Sequence, residues 1–175
     1  MKLETGNSKL SLVRRKRGGT PANNPIYGLA ENIRSLWNVG SLFRTSDAVG
    51  VRKLYLCGYT AKPPRPEISK TALGADETVP WEHVRDPLKV VVRLKELGVG
   101  IVALETGEGA VPYDAFPYEF PLCLLVGNEV EGLSRPLLSA ADAKVSIPML
   151  GTKESLNVAV AYGVALYEVL RRLPR

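Results

Sequence analysis

LCLLVGNEVEGLSRPLLSAADAKVSIPMLGTKESLNVAVAY, residues 122 to 162, holds two short apolar runs, Leu122–Val126 and Val145–Ile147, each broken abruptly by loop-forming residues. Gly127-Asn128-Glu129 follows the first run and Pro148 the second, and Ser155-Leu156-Asn157 then opens a helical pattern. Apolar runs of this length, bounded by Gly and Pro, read as buried strands. Strands that stop at polar loops are how an open α/β sheet presents a ligand site, beyond their carboxyl ends. The stretch therefore reads as the wall of a pocket, with the rest of the chain as its frame and as the carrier of a substrate.

The same alternation recurs outward from it. Ile26–Ala30, Leu54–Cys57 and Ile101–Leu104 are further strand-like runs, and Val79–Val84 is an extended segment weakened by Pro80. Asn38 to Gly50 places Val39, Leu42, Phe43, Ser46 and Val49 at helical spacing, with Asn38 as its N-cap and Gly50 as its stop. Glu67 to Leu73 reads as a short helix. Pro87 to Leu97 is an amphipathic helix, capped by Asp86 and ended by Gly98. Ser155 to Arg172 is apolar almost all round, so that helix belongs in a core or a subunit interface. Strands alternating with helices predict an α/β fold with a mainly parallel sheet. The loops after Leu104, Val126 and Ile147 then converge on one pocket.

Composition narrows the class. A chain of 175 residues, 45% hydrophobic and 23% charged, reads as one soluble globular domain. Its formal net charge of +5 is compatible with a polyanionic partner. Cys57 and Cys123 sit inside apolar runs and read as buried, reduced thiols. No run approaches the roughly 20 apolar residues of a membrane span, and the start lacks the apolar segment of a signal peptide. The expectation is a cytoplasmic protein without a membrane partner. Residues 1 to 25, with Arg14-Arg15-Lys16-Arg17, read as a flexible basic segment, either a solvated tail or an arm that neutralises phosphates. Residues 26 to 175 read as the functional domain.

The usual nucleotide loops are missing: no G-x-G-x-x-G follows a strand and no G-x-x-x-x-G-K-[ST] occurs. His83 is the only histidine, and no Cys/His cluster has metal-ligand spacing. Neither metal catalysis nor hydrolysis is expected.

Three segments together carry a resemblance: NVGSLFRTSDAVG from Asn38, LLVGNEVEGLS from Leu124, and SIPMLGTKESLNVAVA from Ser146. A weaker fourth is ISKTALGADETVPWEH from Ile68. In this order and spacing they resemble the SpoU/TrmH family of RNA ribose 2′-O-methyltransferases, within the SPOUT superfamily. The resemblance implies an α/β fold whose C-terminal part is tied in a deep trefoil knot, a feature that sequence patterns alone would exclude. It implies S-adenosyl-L-methionine as cofactor, RNA (tRNA or rRNA) as substrate, and a homodimer without metal.

The family's cofactor positions fall on Gly127, Ile147 and Leu156, with Leu104 and Glu105 at the matching strand end. Arg44, Asn38, Glu129, Ser155 and Asn157 fall on its catalytic side. Arg44 is the candidate for the reaction, as a fork of donors to a phosphate and to developing alkoxide charge rather than a free base, because a guanidinium keeps its proton in proteins. The bland alternative for Arg44 is a surface pair with Asp47. Asn38 either positions Arg44 or simply caps its helix. Glu129 orders the Gly127–Gly132 loop or bonds Arg or substrate. Ser155 is also placed to cap the last helix. A non-catalytic RNA-binding protein of the same fold is the alternative function.

Overall fold

Ile26 to Glu31 and Leu122 to Val126 bury every residue they contain, although adjacent side chains point in opposite directions. That is the signature of a sheet covered on both faces. The computed structural model describes residues 24 to 174, so the basic segment expected over residues 1 to 25 lies almost wholly outside the described residues. The strands are β1 (Ile26–Glu31), β2 (Lys53–Cys57), β3 (Trp81–Val84), β4 (Gly100–Leu104), β5 (Val111–Pro112), β6 (Leu122–Val126) and β7 (Ala143–Ser146). The helices are α1 (Leu36–Val49), α2 (Pro66–Ala72), α3 (Ala75–Thr78), α4 (Pro87–Glu96), α5 (Arg135–Ala140) and α6 (Val158–Arg172).

The strands form one sheet in the order β3-β2-β1-β6-β4-β7-β5, and every pairing is parallel. Ile26, Ala30, Leu122, Leu124 and Val126 join a core with Phe43 of α1, Ile68 of α2 and Leu166 of α6. Tyr27, Leu29, Cys123 and Leu125 join the opposite core, with Val90 and Leu94 of α4 and Leu137 of α5. Cys57 and Cys123 are buried free thiols, as expected, and burial pushes the Cys57 thiol up to about 12. No helix among the described residues is long and apolar enough to cross a membrane.

Several boundaries differ from the sequence reading. The N-cap of α1 is Ser35, whose Oγ accepts from Asn38 N at 3.3 Å, so Asn38 lies in the first turn and its side chain is free for other work. The last helix starts at Val158, not Ser155. Asn157 is its cap, with Oδ1 accepting from Ala159 N at 3.0 Å and Val160 N at 3.3 Å. Within the single chain the core covers only one face of α6. Tyr162, Ala165, Leu166 and Val169 face the core, whereas Val160, Val164 and Tyr167 are exposed. The short helix before Gly74 runs from Pro66 to Ala72, and Leu73 stops it in a left-handed conformation. Three short elements, α3, α5 and β5, hold too few residues for any period to show.

α1 and α2 pack almost backbone to backbone. A Cβ on Gly40 would stand 1.9 Å from Thr71 Oγ1 and 2.4 Å from the Ile68 carbonyl oxygen. α6 is pinned to α1 by a buried hydrogen bond of 3.0 Å between the Tyr162 and Ser46 hydroxyls. Burial holds the Tyr162 phenol well above its usual range.

Candidate active site

The carboxyl ends of β1, β6, β4 and β7 are neighbours in the sheet, so the loops that follow them meet on one side. Here the chain reverses strand order, from β1 outward to β3 and then, through β4, to the other half. Such switch points are where open α/β sheets place ligands. A cleft opens there, with Leu104, Glu105, Gly127, Glu129, Ile147, Ser155 and Leu156 among its lining residues. All five residues expected at a cofactor therefore share one cleft, with two of those expected to be catalytic. Thr106 and Met149 also line it and were missed; their positions beside Glu105 and after Ile147-Pro148 were the available signal.

Gly127 marks where β6 gives way to the loop. A Cβ there would fall 2.3 Å from both Gly132 C and Leu133 N, so only glycine fits. The loop folds back on itself through Asn128 N to Gly132 O and Gly132 N to Asn128 O, both 3.0 Å. The Asn128 side chain is fully employed: Oδ1 accepts from Val130 N and Glu131 N, while Nδ2 donates to Asn32 O and to the Tyr59 hydroxyl. The Glu105 carboxylate braces the same loop by accepting from Leu133 N at 2.9 Å. Glu31, nearly buried, does likewise for Ser134 N at 2.8 Å.

Glu129 reaches across to the start of α1. Its Oε2 accepts from Arg34 N at 2.9 Å, and its Oε1 accepts from Ser35 N at 3.0 Å and Asn38 Nδ2 at 2.9 Å. Burial pushes this carboxyl up, and the three donors outweigh it, so its pKa lies below the usual carboxylate range. Asn38 Oδ1 in turn accepts from Asn157 Nδ2 at 3.1 Å. Glu129, Asn38 and Asn157 thus form one hydrogen-bonded series that ties together segments about 90 and 119 residues apart. Simple capping by Asn38 is replaced by this bridge.

Arg44 is not part of the cleft. It lies on the exposed face of α1, in a separate depression with Ser41, Thr45, Lys70, Thr71 and Tyr167. The Arg44–Asp47 pair does not form; Asp47 accepts instead from the Thr78 hydroxyl at 2.8 Å. Among the described residues Arg44 has no ion pair. Ser155 is exposed at the cleft and makes no hydrogen bond to a described residue. His83 lies in β3, paired with Leu56 of β2, far along the sheet from the cleft.

The cleft suits a ligand with an apolar ring and a polar edge. Leu104, Val126, Ile147, Leu156 and Val158 supply apolar walls. From Pro148 to Leu156 the backbone makes no main-chain hydrogen bond with other described residues, so its N–H and C=O groups are available to a ligand. No cluster of metal-ligating side chains occurs among the described residues.

Comparison with known proteins agrees with this architecture. The family model described as "SpoU rRNA Methylase family" matches residues 26 to 167. The chain is 38% identical over 144 residues to a tRNA (guanosine(18)-2'-O)-methyltransferase of Aquifex aeolicus, covering 82% of this chain and 67% of that protein. It is 34% identical over 149 residues to the 23S rRNA (guanosine-2'-O-)-methyltransferase RlmB of Neisseria meningitidis serogroup B, covering 85% of this chain and 59% of that protein. Among solved structures, the SpoU methyltransferase AviRb from Streptomyces viridochromogenes in complex with AdoMet superposes with a TM-score of 0.77 at 31% identity, covering 83% of this chain and 59% of that one. The chain thus spans about three fifths to two thirds of the length of these relatives. A match that spans β1 to α6, and so takes in the loops of the cleft, assigns the chain to the SpoU rRNA methylase family.

Proposed function

We propose that this protein is an S-adenosyl-L-methionine-dependent methyltransferase acting on a ribose 2′-hydroxyl of structured RNA, tRNA or rRNA. One observation carries the reading: the series Glu129–Asn38–Asn157 locks three separate motifs around a single cleft with apolar walls and a polar edge. The names of the relatives, which act on tRNA and 23S rRNA, support the substrate class, and the AdoMet bound to AviRb supports the cofactor.

Leu104, Ile147 and Leu156 would hold the adenine between apolar side chains, with backbone groups of Gly127 and the Pro148–Leu156 segment reading its polar edge. Glu105 serves that site by holding Leu133 in place. The cofactor supplies a methyl group on a sulfonium sulfur. The chain's own task is alignment, since effective concentration and orientation account for much of such a transfer. Asn157 and Asn38 are committed to each other, so they position the cleft wall. Ser155, with an uncommitted hydroxyl, is placed to meet the substrate. Arg44 is the group that grips a phosphate and stabilises negative charge developing on the ribose oxygen.

Arg44 lies outside its own cleft, which favours a homodimer. The exposed Val160, Val164 and Tyr167 form an apolar strip on α6, and Tyr167 also lines the Arg44 depression. A second copy packed on that strip would bury it and set Arg44 at the interface. The C-terminal knot belongs to the same proposal. After β7, on the far side of β4, the chain crosses the cleft and returns in α6 to pack on α1, β4 and β6.

The test has two arms. Calorimetry should detect S-adenosyl-L-methionine binding; no heat and no thermal shift at millimolar cofactor would overturn the assignment. Arg44→Ala should abolish methyl transfer to RNA while cofactor affinity stays within a few-fold, and transfer near the wild-type rate would remove Arg44 from the chemistry.

A further inference from the structure

The chain has two tryptophans. Trp81 packs edge-on against Phe43, with ring centroids 6.3 Å apart. Trp37 does not join the core and is 47% exposed. Its position explains this. The core stripe of α1 is Val39, Leu42, Phe43, Ser46 and Val49, whereas Trp37, Ser41, Arg44 and Ala48 follow one another at three- and four-residue steps along the outer face. Trp37 thus shares a stripe with Arg44, about 10 Å away at 1.5 Å per residue.

α2 completes the surface. The tight approach at Gly40 seats Thr71 against α1, with its hydroxyl 3.2 Å from Trp37 O and within reach of the Ile68 and Glu67 carbonyls of its own helix. Beside Thr71 on α2, Lys70 sets its Nζ 5.6 Å from the centre of the Trp37 ring. Lys70 and Arg44 line the same depression with the hydroxyls of Ser41, Thr45 and Thr71, and no carboxylate lines it. A cation–π pair at an exposed site is a weak structural device. Two cations, several hydroxyls and a half-exposed indole on one face match a nucleotide strand better: cations for phosphates, the ring for a base.

We propose that Trp37 is a stacking platform for an unpaired base of the RNA, and that Lys70 and Arg44 take the adjoining phosphates. This rests on the methyltransferase reading above and deepens it, by naming how the substrate is held open. A paired ribose shows its 2′-hydroxyl along a shallow groove, whereas a nucleotide of a splayed strand can enter a cleft, and proteins hold splayed RNA bases on aromatic rings. Trp37 immediately precedes Asn38, whose side chain bonds Glu129 and Asn157, so the platform is built on the same turn of α1 that braces the cleft.

Total tRNA is the probe. Its binding should quench tryptophan emission, and the quench should vanish in Trp37→Phe, which keeps Trp81. Trp37→Phe should hold tRNA within about three-fold of wild type, whereas Trp37→Ala should lose about ten-fold or more. Lys70→Ala should weaken binding and flatten its salt dependence by about one ion. In all three variants cofactor affinity and oligomeric state should match wild type. Retention of tRNA without a quench, full affinity in Trp37→Ala, or no retention by the wild type would overturn the proposal. Dissociation of Trp37→Ala into monomers with tRNA affinity intact would instead assign the ring to a protein interface and overturn it too. Binding and quench in a protein that shows no S-adenosyl-L-methionine binding by calorimetry would leave this proposal standing and refute the methyltransferase reading.

Discussion

Asn38→Asp is nearly isosteric, yet it reverses one contact of the Glu129–Asn38–Asn157 series. The bond from Asn38 Nδ2 to Glu129 Oε1, 2.9 Å, becomes a contact between two carboxylates. A hydrogen bond to a charged acceptor contributes about 1.5–3 kcal/mol. Repulsion between unit charges about 4 Å apart is about 1 kcal/mol in water and about 4 kcal/mol at an effective dielectric of 20; partial exposure of both groups favours the lower figure. The bond that Asn157 donates to position 38 survives, because oxygen still accepts there. The variant should therefore be about 3 kcal/mol less stable than wild type at pH 8. The pH dependence is the sharper signature. In wild type the depressed Glu129 carboxyl gives stability that is present above the ordinary carboxylate pKa and lost only as pH falls through the folded value. In the variant the two carboxylates share a proton, so the folded state binds more protons than the unfolded one and stability falls as pH rises. Urea denaturation at pH 5, 6.5 and 8 should show the deficit shrinking to about 1 kcal/mol at pH 5. Asn38→Ala should show a deficit independent of pH over that range. A deficit for Asn38→Asp that does not change between pH 5 and 8 would refute the Glu129–Asn38 contact.

Gly127→Ala forces a Cβ into Gly132 and Leu133 backbone atoms 2.3 Å away, so the loop must move and its two 3.0 Å bridge bonds weaken. Denaturant melts should show a loss of about 2–4 kcal/mol, with cofactor affinity by calorimetry falling at least ten-fold. Tyr162→Phe leaves the buried Ser46 hydroxyl without its partner and should cost about 1–3 kcal/mol by the same melts, with cofactor affinity unchanged. Val164→Asp places a charge on the exposed strip of α6 and should yield a folded monomer by light scattering; an unchanged oligomeric state would move the interface elsewhere.

How far the fold could be read follows from the length and burial of each element. β6 was legible residue for residue, because five consecutive apolar residues end at a glycine that nothing larger can replace. α4 was legible at its start because Asp86 caps it through its own side chain, which bonds Leu88 N at 3.1 Å. β5, with two residues, and α3, with four, exist only because their neighbours hold them, and no local signal announces that. Asn38 was misread as a cap because local propensity weighs only the residues beside it. The carboxylate that closes the start of α1 is Glu129, from more than ninety residues away. Likewise Asn157, not Ser155, caps α6: its Oδ1 accepts from Ala159 N and Val160 N while its Nδ2 donates to Asn38, and only the first of these is local.

The same accounting separates two kinds of polar residue at the site. Asn128, Glu105, Glu129, Asn38 and Asn157 spend their hydrogen-bonding capacity on backbone groups and on one another. A group so occupied shapes a cleft, and it must first break a bond to touch a substrate. Arg44 and Ser155 carry side chains free of such partners among the described residues, and Trp37 carries an indole face outside the core. Motif membership alone ranks all of these together. Geometry divides them: the occupied set shapes the cleft, while in the unoccupied set Ser155 stands exposed at its rim and Arg44 and Trp37 lie on the outer face of α1. Substitutions in the first set should therefore disturb stability and cofactor binding together, whereas those in the second should act on RNA binding or methyl transfer and leave the cleft intact.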